Sequence, residues 1–85
     1  MGIFRLAGRT ALVTGGALRL GRAIAEALAR SGADVLIHYR TSASQAEEAA
    51  AAFRRLGVRA WSIQADLADE AQVEVLWRRA LELSL

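Results

Sequence analysis

Four residue types are absent from this 85-residue chain: cysteine, proline, lysine and asparagine. Without cysteine there is no disulfide and no thiolate metal ligand, so we expect a cytoplasmic setting. The chain has no run of about 18 apolar residues that could span a membrane. Its first 20 residues lack the continuous apolar core of a secretory signal. We therefore expect that the chain neither spans a membrane nor resides in an oxidising compartment.

The composition is typical of one small globular domain, with 54% hydrophobic residues, 24% charged residues and a formal net charge of +2. All eleven basic residues are arginine, and they are spread along the chain. The two adjacent pairs, Arg54-Arg55 and Arg78-Arg79, fall on predicted helices. We interpret these pairs as solvated helix faces and expect no nucleic-acid partner.

A glycine-rich segment from Thr14 to Gly21 is the most informative feature that is present. Bare glycine backbone lets phosphates approach closely, and a helix N-terminus offers free N–H groups and a partial positive charge. The segment therefore indicates a dinucleotide pyrophosphate site, the alternative being a tight turn without a ligand. Arg19 stands where the more common form of this turn has a third glycine. Bound phosphate would favour a cation at this helix start; otherwise Arg19 points into solvent.

Strand and helix patterns alternate three times along the chain. Strands are predicted over residues 10–14, 34–39 and 58–64. The first helix is predicted over residues 20–31 and the third over residues 70–83, after a cap at Asp69. The second helix is predicted to begin at a capping box formed by Ser44 and Glu47 and to end at Gly57. The apolar stripes expected to be buried are Leu20, Ala23, Ile24, Ala27 and Leu28; Ala46, Ala49, Ala50 and Phe53; and Val73, Leu76, Trp77, Ala80 and Leu81. This order predicts an α/β fold, the N-terminal half (β-α-β-α-β-α) of a doubly wound parallel-sheet Rossmann fold.

The end of the second strand indicates which dinucleotide is preferred. Sites for NAD place an acidic residue there, about 20 residues past the glycines, to bind the ribose 2′-hydroxyl. Here Tyr39 occupies that place, followed by Arg40, Thr41 and Ser42. A guanidinium with two hydroxyls suits a 2′-phosphate, so the pattern favours NADPH over NADH. Alternatively, Arg40 is an ordinary exposed loop residue.

Two further polar residues stand out near the predicted strand ends. Asp66, followed by Leu67, comes directly after the third strand, where doubly wound folds bind ligands. Its carboxylate is placed either to accept a hydrogen bond from an adenine amino group or to help cap the next helix. His38 points away from its neighbours Ile37 and Tyr39 on the second strand, and we expect it to pack in the core or at an interface.

Together these segments resemble the short-chain dehydrogenase/reductase family. The resemblance rests on the motif from Thr14 to Gly21, on His38 to Ser42 and on Gln64 to Leu67, and it spans residues 9–83. It implies a set of NADPH-binding residues: Gly15, Arg19, Leu20, Gly21, Tyr39, Arg40, Thr41, Ser42, Asp66 and Leu67. Arg19 makes the glycine motif similar to that of pteridine reductases, which implies a pterin-like substrate close to this arginine.

The same resemblance implies that catalysis requires residues outside this chain. The family uses a tyrosine followed four positions later by a lysine, and an asparagine motif in the next strand. The only tyrosine is Tyr39, Ala43 stands four positions later, and neither lysine nor asparagine occurs. We therefore predict no catalytic residue and no metal site in residues 1–85. The chain is interpreted as the NADPH-binding segment of a longer reductase that acts on a C=O or C=N bond.

The partners expected from this interpretation are a small-molecule substrate, the remainder of the same fold as a separate or missing segment, and identical subunits when the protein is complete. The two alternatives are a truncated, non-catalytic nucleotide-binding module and an inactive fragment. The intact mass of the purified protein separates these interpretations, because a single species near 9.1 kDa without a complementing peptide would exclude the reductase for that material.

Overall fold

Three parallel strands, each followed by a helix, form the part of the chain that the computed structural model describes, residues 8–84. In chain order they are β1 (Thr10–Val13), α1 (Arg19–Arg30), β2 (Asp34–Tyr39), α2 (Ala43–Arg54), β3 (Ala60–Gln64) and α3 (Glu70–Leu83). The order and the parallel pairing confirm the predicted α/β class and the N-terminal half of a Rossmann fold. The predicted bounds of β2 and α3 are also those of the structure.

The sheet has the order β1-β2-β3, so β2 is hydrogen-bonded on both sides. Thr10 pairs with Asp34 at one end of the sheet, and Tyr39 pairs with Gln64 at the other. Since all three strands run in the same direction, their carboxyl ends meet at one edge. The segments that follow the three strands are thereby brought next to one another.

The two faces of the sheet are covered unequally. Val35 and Ile37 of β2 face the larger apolar cluster, which α1 and α2 cover. Leu36 points to the opposite face, where it meets Leu76 of α3 in a smaller cluster. This alternation follows from the two-residue period of a strand and produces the three-layer arrangement of the fold.

α2 buries the face that its sequence predicts, but it begins differently. All four residues of the predicted stripe are buried. The predicted capping box is wrong, because α2 begins at Ala43 with Ser42 at its N-cap, which leaves Ser44 inside the helix. Glu47 instead accepts hydrogen bonds from Arg54 Nη1 at 3.0 Å and Ser62 Oγ at 3.1 Å. These bonds, with the Arg54 charge, hold the pKa of Glu47 below its usual range.

The buried face of α1 differs from the predicted stripe. Ala25 and Ala29 are buried and Leu28 packs beside them, whereas Leu20 and Ile24 are 73% and 47% exposed. Small side chains toward the sheet let the helix backbone lie close to β1 and β2. The helix therefore buries Ala25 and Ala29, and of the larger residues in the predicted stripe Leu28 packs against the core while Leu20 and Ile24 are exposed.

α3 follows the predicted cap but buries only part of its stripe. Asp69 Oδ1 accepts a hydrogen bond from the Ala71 N–H at 2.9 Å, which confirms the cap. Leu76 is buried, while Trp77 is 59% exposed and Leu81 is 50% exposed. Over the described range, residues 8–84, none of the helices combines the length and the apolar character needed to cross a membrane.

Candidate functional site

An open cleft of about 130 Å³ lies at the carboxyl ends of β1 and β2. The residues that line it are Gly15, Ala17, Leu18, Tyr39, Arg40, Thr41 and Ser42. The structure thus brings the glycine-rich turn against the loop after β2. Five residues predicted from the sequence share this cleft, and they come from two segments that are distant in sequence.

The spacing of the glycines reflects a close approach between the turn and α1. Gly15 has φ +64°, a left-handed conformation that favours glycine, and the space where a β-carbon would point is open. A β-carbon on Gly21 would overlap the carbonyl oxygen of Gly15. Because Gly21 lies directly against this peptide, the helix begins immediately behind the turn, as phosphate binding requires.

Arg19 adopts a backbone conformation that explains why glycine is more common at this place. Its φ is +51°, in the left-handed region, which costs a residue with a β-carbon about 1–2 kcal/mol. Arg19 is the first residue of α1, and Leu18 at the N-cap has no side-chain oxygen to cap the helix. Arg19 and Leu20 are exposed at the rim beside the cleft. A strained and positively charged residue therefore stands in the first turn of a helix that has no side-chain cap.

The loop after β2 is held by a neighbouring strand. The Gln64 side-chain N–H at the end of β3 donates to the Arg40 carbonyl oxygen at 3.1 Å. Ser42 O accepts from the Ala46 N–H at 2.9 Å, which ties the loop to α2. The side chain of Arg40 itself is exposed. Sequence reasoning missed the role of Gln64, since only the strand register shows that it lies beside Tyr39.

His38 is buried, as expected, but it also connects the turn to β3. Only 5% of the residue is exposed. Its Nδ1 accepts from the Gly15 N–H at 3.2 Å, and its Nε2 lies 2.8 Å from the Ala65 carbonyl oxygen. The His38 carbonyl oxygen accepts from the Gly16 N–H at 3.2 Å. A polar residue after three apolar ones in β2 was the available signal in the sequence, but it does not reveal these partners.

Asp66 and Leu67 follow β3 and do not line the same cleft. Asp66 Oδ1 accepts from the Ala68 N–H at 2.9 Å, and the Asp66 N–H donates to Gln72 Oε1 at 2.8 Å. The Asp66 carboxylate thus stabilises its own turn, while Asp69 caps α3. Leu67 is 45% exposed and borders a separate, mostly apolar pocket of about 360 Å³ with Trp77. Among residues 8–84, no three histidine or acidic side chains are grouped as metal ligands.

Comparison with known proteins gives consistent matches over nearly all of the described chain. Residues 9–83 match the family model described as short chain dehydrogenase. Tetrahydroxynaphthalene reductase PfmaG of Pestalotiopsis fici is 40% identical over 76 residues, covering 89% of this chain and 27% of that protein. Versicolorin reductase stcU of Emericella nidulans is 42% identical over 79 residues, covering 93% and 30%. The chain spans less than a third of the length of these curated relatives.

Solved structures show the same similarity. A short chain dehydrogenase from Burkholderia cenocepacia, solved in complex with NADP, is 48% identical with a TM-score of 0.91; the match covers 94% of this chain and 33% of that one. The landomycin C-6 ketoreductase LanV, solved with NADP and rabelomycin, is 44% identical with a TM-score of 0.82, covering 88% and 31%.

Replacing Gly21 with alanine tests the contact between α1 and the turn. In an ordinary exposed helix position this change stabilises a protein by about 0.5–1 kcal/mol. Here the added methyl group overlaps the Gly15 carbonyl, so we expect a loss of about 1–3 kcal/mol in the free energy of unfolding. Denaturant unfolding of the intact protein gives the sign. Ala23→Ser, at an exposed position of α1, is the control and should change stability little. A stabilised Gly21→Ala protein would contradict the contact.

Proposed function

We propose that this chain, which belongs to the short-chain dehydrogenase/reductase family, binds the adenosine and pyrophosphate portions of NADPH for a reductase whose catalytic residues lie outside these 85 residues. The cleft that Gly15 and Arg40 both line carries this proposal. It joins a phosphate-type turn to a cationic loop, so one extended ligand can contact both. The whole chain then forms part of one dinucleotide-binding domain.

The turn and the start of α1 fit a pyrophosphate. The conformation of Gly15 leaves open space where another residue would carry a β-carbon, and Gly21 keeps the helix start close behind it. Arg19 adds a positive charge at the rim, and its position becomes favourable when an anion lies at the helix N-terminus. We assign Gly15, Arg19, Leu20 and Gly21 to the phosphates.

The loop after β2 fits a ribose that carries a 2′-phosphate. Arg40, Thr41 and Ser42 line the cleft with one guanidinium and two hydroxyl groups, all of which can donate to phosphate oxygens. Tyr39 ends β2 where a carboxylate would bind an unmodified ribose and repel the phosphate. These four residues support NADPH over NADH.

Adenine is assigned to the segment after β3. Although the Asp66 carboxylate already accepts one backbone hydrogen bond, a carboxylate has about four acceptor sites and can take an amino group as well. Leu67 is exposed next to it and offers an apolar surface. This assignment extends the ligand across the ends of all three strands, in the order β1, β2 and β3.

NADPH supplies a hydride to the carbon of a C=O or C=N bond, while a proton goes to the oxygen or nitrogen and NADP⁺ remains. The residues described here bind and orient the cofactor for this step. Two relatives are named as reductases of tetrahydroxynaphthalene and of versicolorin, and a naphthalene is a pair of fused aromatic rings. A carbonyl on a polycyclic aromatic substrate is therefore our first proposal for the complete protein, with a pterin, suggested by Arg19, as the second candidate. We further propose that the complete protein assembles from identical subunits.

A substrate comparison separates these candidates. With the intact protein that carries this chain, we expect NADPH consumption with a hydroxynaphthalene-type ketone and little with dihydropteridine. Cofactor consumption and product mass are measured together, and NADH serves as the matched cofactor control. Reduction of the pterin alone would favour the second candidate. Binding of NADPH without reduction of either compound would favour a non-catalytic nucleotide-binding module.

Arg40→Asp tests the assignment of the 2′-phosphate. Removing a charge-assisted bond and adding a repulsive carboxylate should weaken NADPH binding by about 100-fold and leave NADH binding nearly unchanged. Isothermal titration with both cofactors measures the ratio. Arg55→Asp makes the same charge change beyond the opposite end of α2 and should leave the ratio alone. An unchanged preference in Arg40→Asp, or equal wild-type affinity for both cofactors, would refute the assignment.

Two substitutions of Arg19 separate its backbone strain from its charge. Arg19→Ala removes the guanidinium but keeps a β-carbon in the strained left-handed conformation, whereas Arg19→Gly removes both the guanidinium and the strain. Both variants should bind NADPH about 10-fold more weakly and with a smaller dependence on salt. The free energy of unfolding, measured with denaturant, should be about 1 kcal/mol higher for the glycine variant than for the alanine variant. Wild-type affinity in both variants would show that Arg19 merely points into solvent.

A further inference from the structure

The imidazole of His38 lies between the turn after β1 and the end of β3, with a hydrogen bond to each. We propose that His38 is a positioning residue that fixes the phosphate-binding turn, and that it does so as the single neutral tautomer with the proton on Nε2. This role rests on the proposed function, because the turn is assigned to the cofactor phosphates.

The tautomer follows from the two partners. A backbone N–H can only donate, so His38 Nδ1, 3.2 Å from the Gly15 nitrogen, must present a lone pair. A carbonyl oxygen can only accept, so Nε2, 2.8 Å from the Ala65 oxygen, must carry the proton. Both ring nitrogens are therefore satisfied in a residue that is 5% exposed. Such a fully bonded buried polar group makes its surroundings more rigid.

The link determines which N–H groups face the cofactor. Gly15 donates to the His38 side chain and Gly16 donates to the His38 carbonyl oxygen, so both amides point toward β2. Phosphate oxygens must then bind the N–H groups that follow, at the first turn of α1, where helix amides have no intrahelical partner. Without the imidazole, the Gly15 N–H loses its partner, and the left-handed conformation at this position loses one of its constraints.

His38 also contacts the segment that is assigned to adenine. Ala65 accepts from His38 Nε2 and also donates its N–H to the Tyr39 carbonyl oxygen at 3.1 Å. Asp66 is the next residue along the chain. One side chain on the central strand therefore holds the first and third strand ends at a fixed separation, and the adenine and phosphate positions are set relative to each other.

The link requires the neutral ring. A doubly protonated imidazole has two donors, so its Nδ1–H would face the Gly15 N–H.

Two substitutions separate the two bonds. An asparagine oxygen sits near the place of Nδ1, so His38→Asn keeps an acceptor for Gly15. A glutamine amide is one bond longer and reaches the place of Nε2, so His38→Gln keeps the donor to Ala65 and loses the acceptor. Leu36→Val is the control, since Leu36 is buried on the same face of β2 and belongs to the α3-side cluster rather than to the turn.

The intact protein is titrated with NADP⁺ and with adenosine 2′-monophosphate, which lacks the pyrophosphate. His38→Gln should weaken NADP⁺ binding about tenfold while the affinity for adenosine 2′-monophosphate changes by less than about twofold. His38→Asn should retain wild-type affinity within about threefold. Leu36→Val should lower stability without changing the ratio of the two affinities.

Hydrogen exchange of the Gly15 amide provides a measurement that does not depend on the cofactor. Its protection should be lost in His38→Gln and kept in His38→Asn. If the wild type binds no NADP⁺, the proposed function fails, and Gly15 protection alone then decides the role of His38. If both His38 variants lower the two affinities together, in proportion to lost stability, or if Gly15 protection is unchanged in His38→Gln, the positioning role is overturned.

Discussion

The first turn of α1 lies so close to the turn after β1 that residue 21 has no space for a β-carbon. This contact sets the direction in which α1 leaves the sheet, and it leads the helix to lie on the alanine face formed by Ala25 and Ala29. Gly15 and Arg19, on either side of this turn, both adopt left-handed conformations. The shape of the candidate phosphate site is thus a consequence of helix packing, and the same packing explains the wide spacing of the motif glycines.

Hydrogen bonds, rather than apolar packing, join the three strand ends around that contact. Gln64 supports the loop at Arg40, and the His38 ring bonds to Gly15 and Ala65. These bonds come from adjacent strands whose register is set by the parallel sheet. Because a buried polar group without a partner is costly, the His38 ring is constrained by its two partners to one arrangement, while the exposed Gln64 adds a surface bond. The sheet therefore positions the three strand ends that form the candidate site, and the loops add the remaining contacts.

Much of this arrangement could be predicted from the sequence, and the failures have physical causes. The buried face of α2 and the bounds of β2 were correct because alanine periodicity and a continuous apolar run leave few alternatives. The stripe of α1 was wrong because periodicity shows that a face is apolar, but not that smaller side chains will be the ones to pack. The capping box failed because Glu47 has stronger partners in Arg54 and Ser62. The bonds of Gln64 and His38 depend on register, which local sequence does not encode.

The central position of β2 has a consequence for the entropy of recognition. Tyr39 and the start of the Arg40 loop extend from a strand that is hydrogen-bonded on both sides, so little backbone freedom is left there to lose when a ligand arrives. A contact made to this backbone therefore costs little conformational entropy, and most of its free energy remains available for affinity.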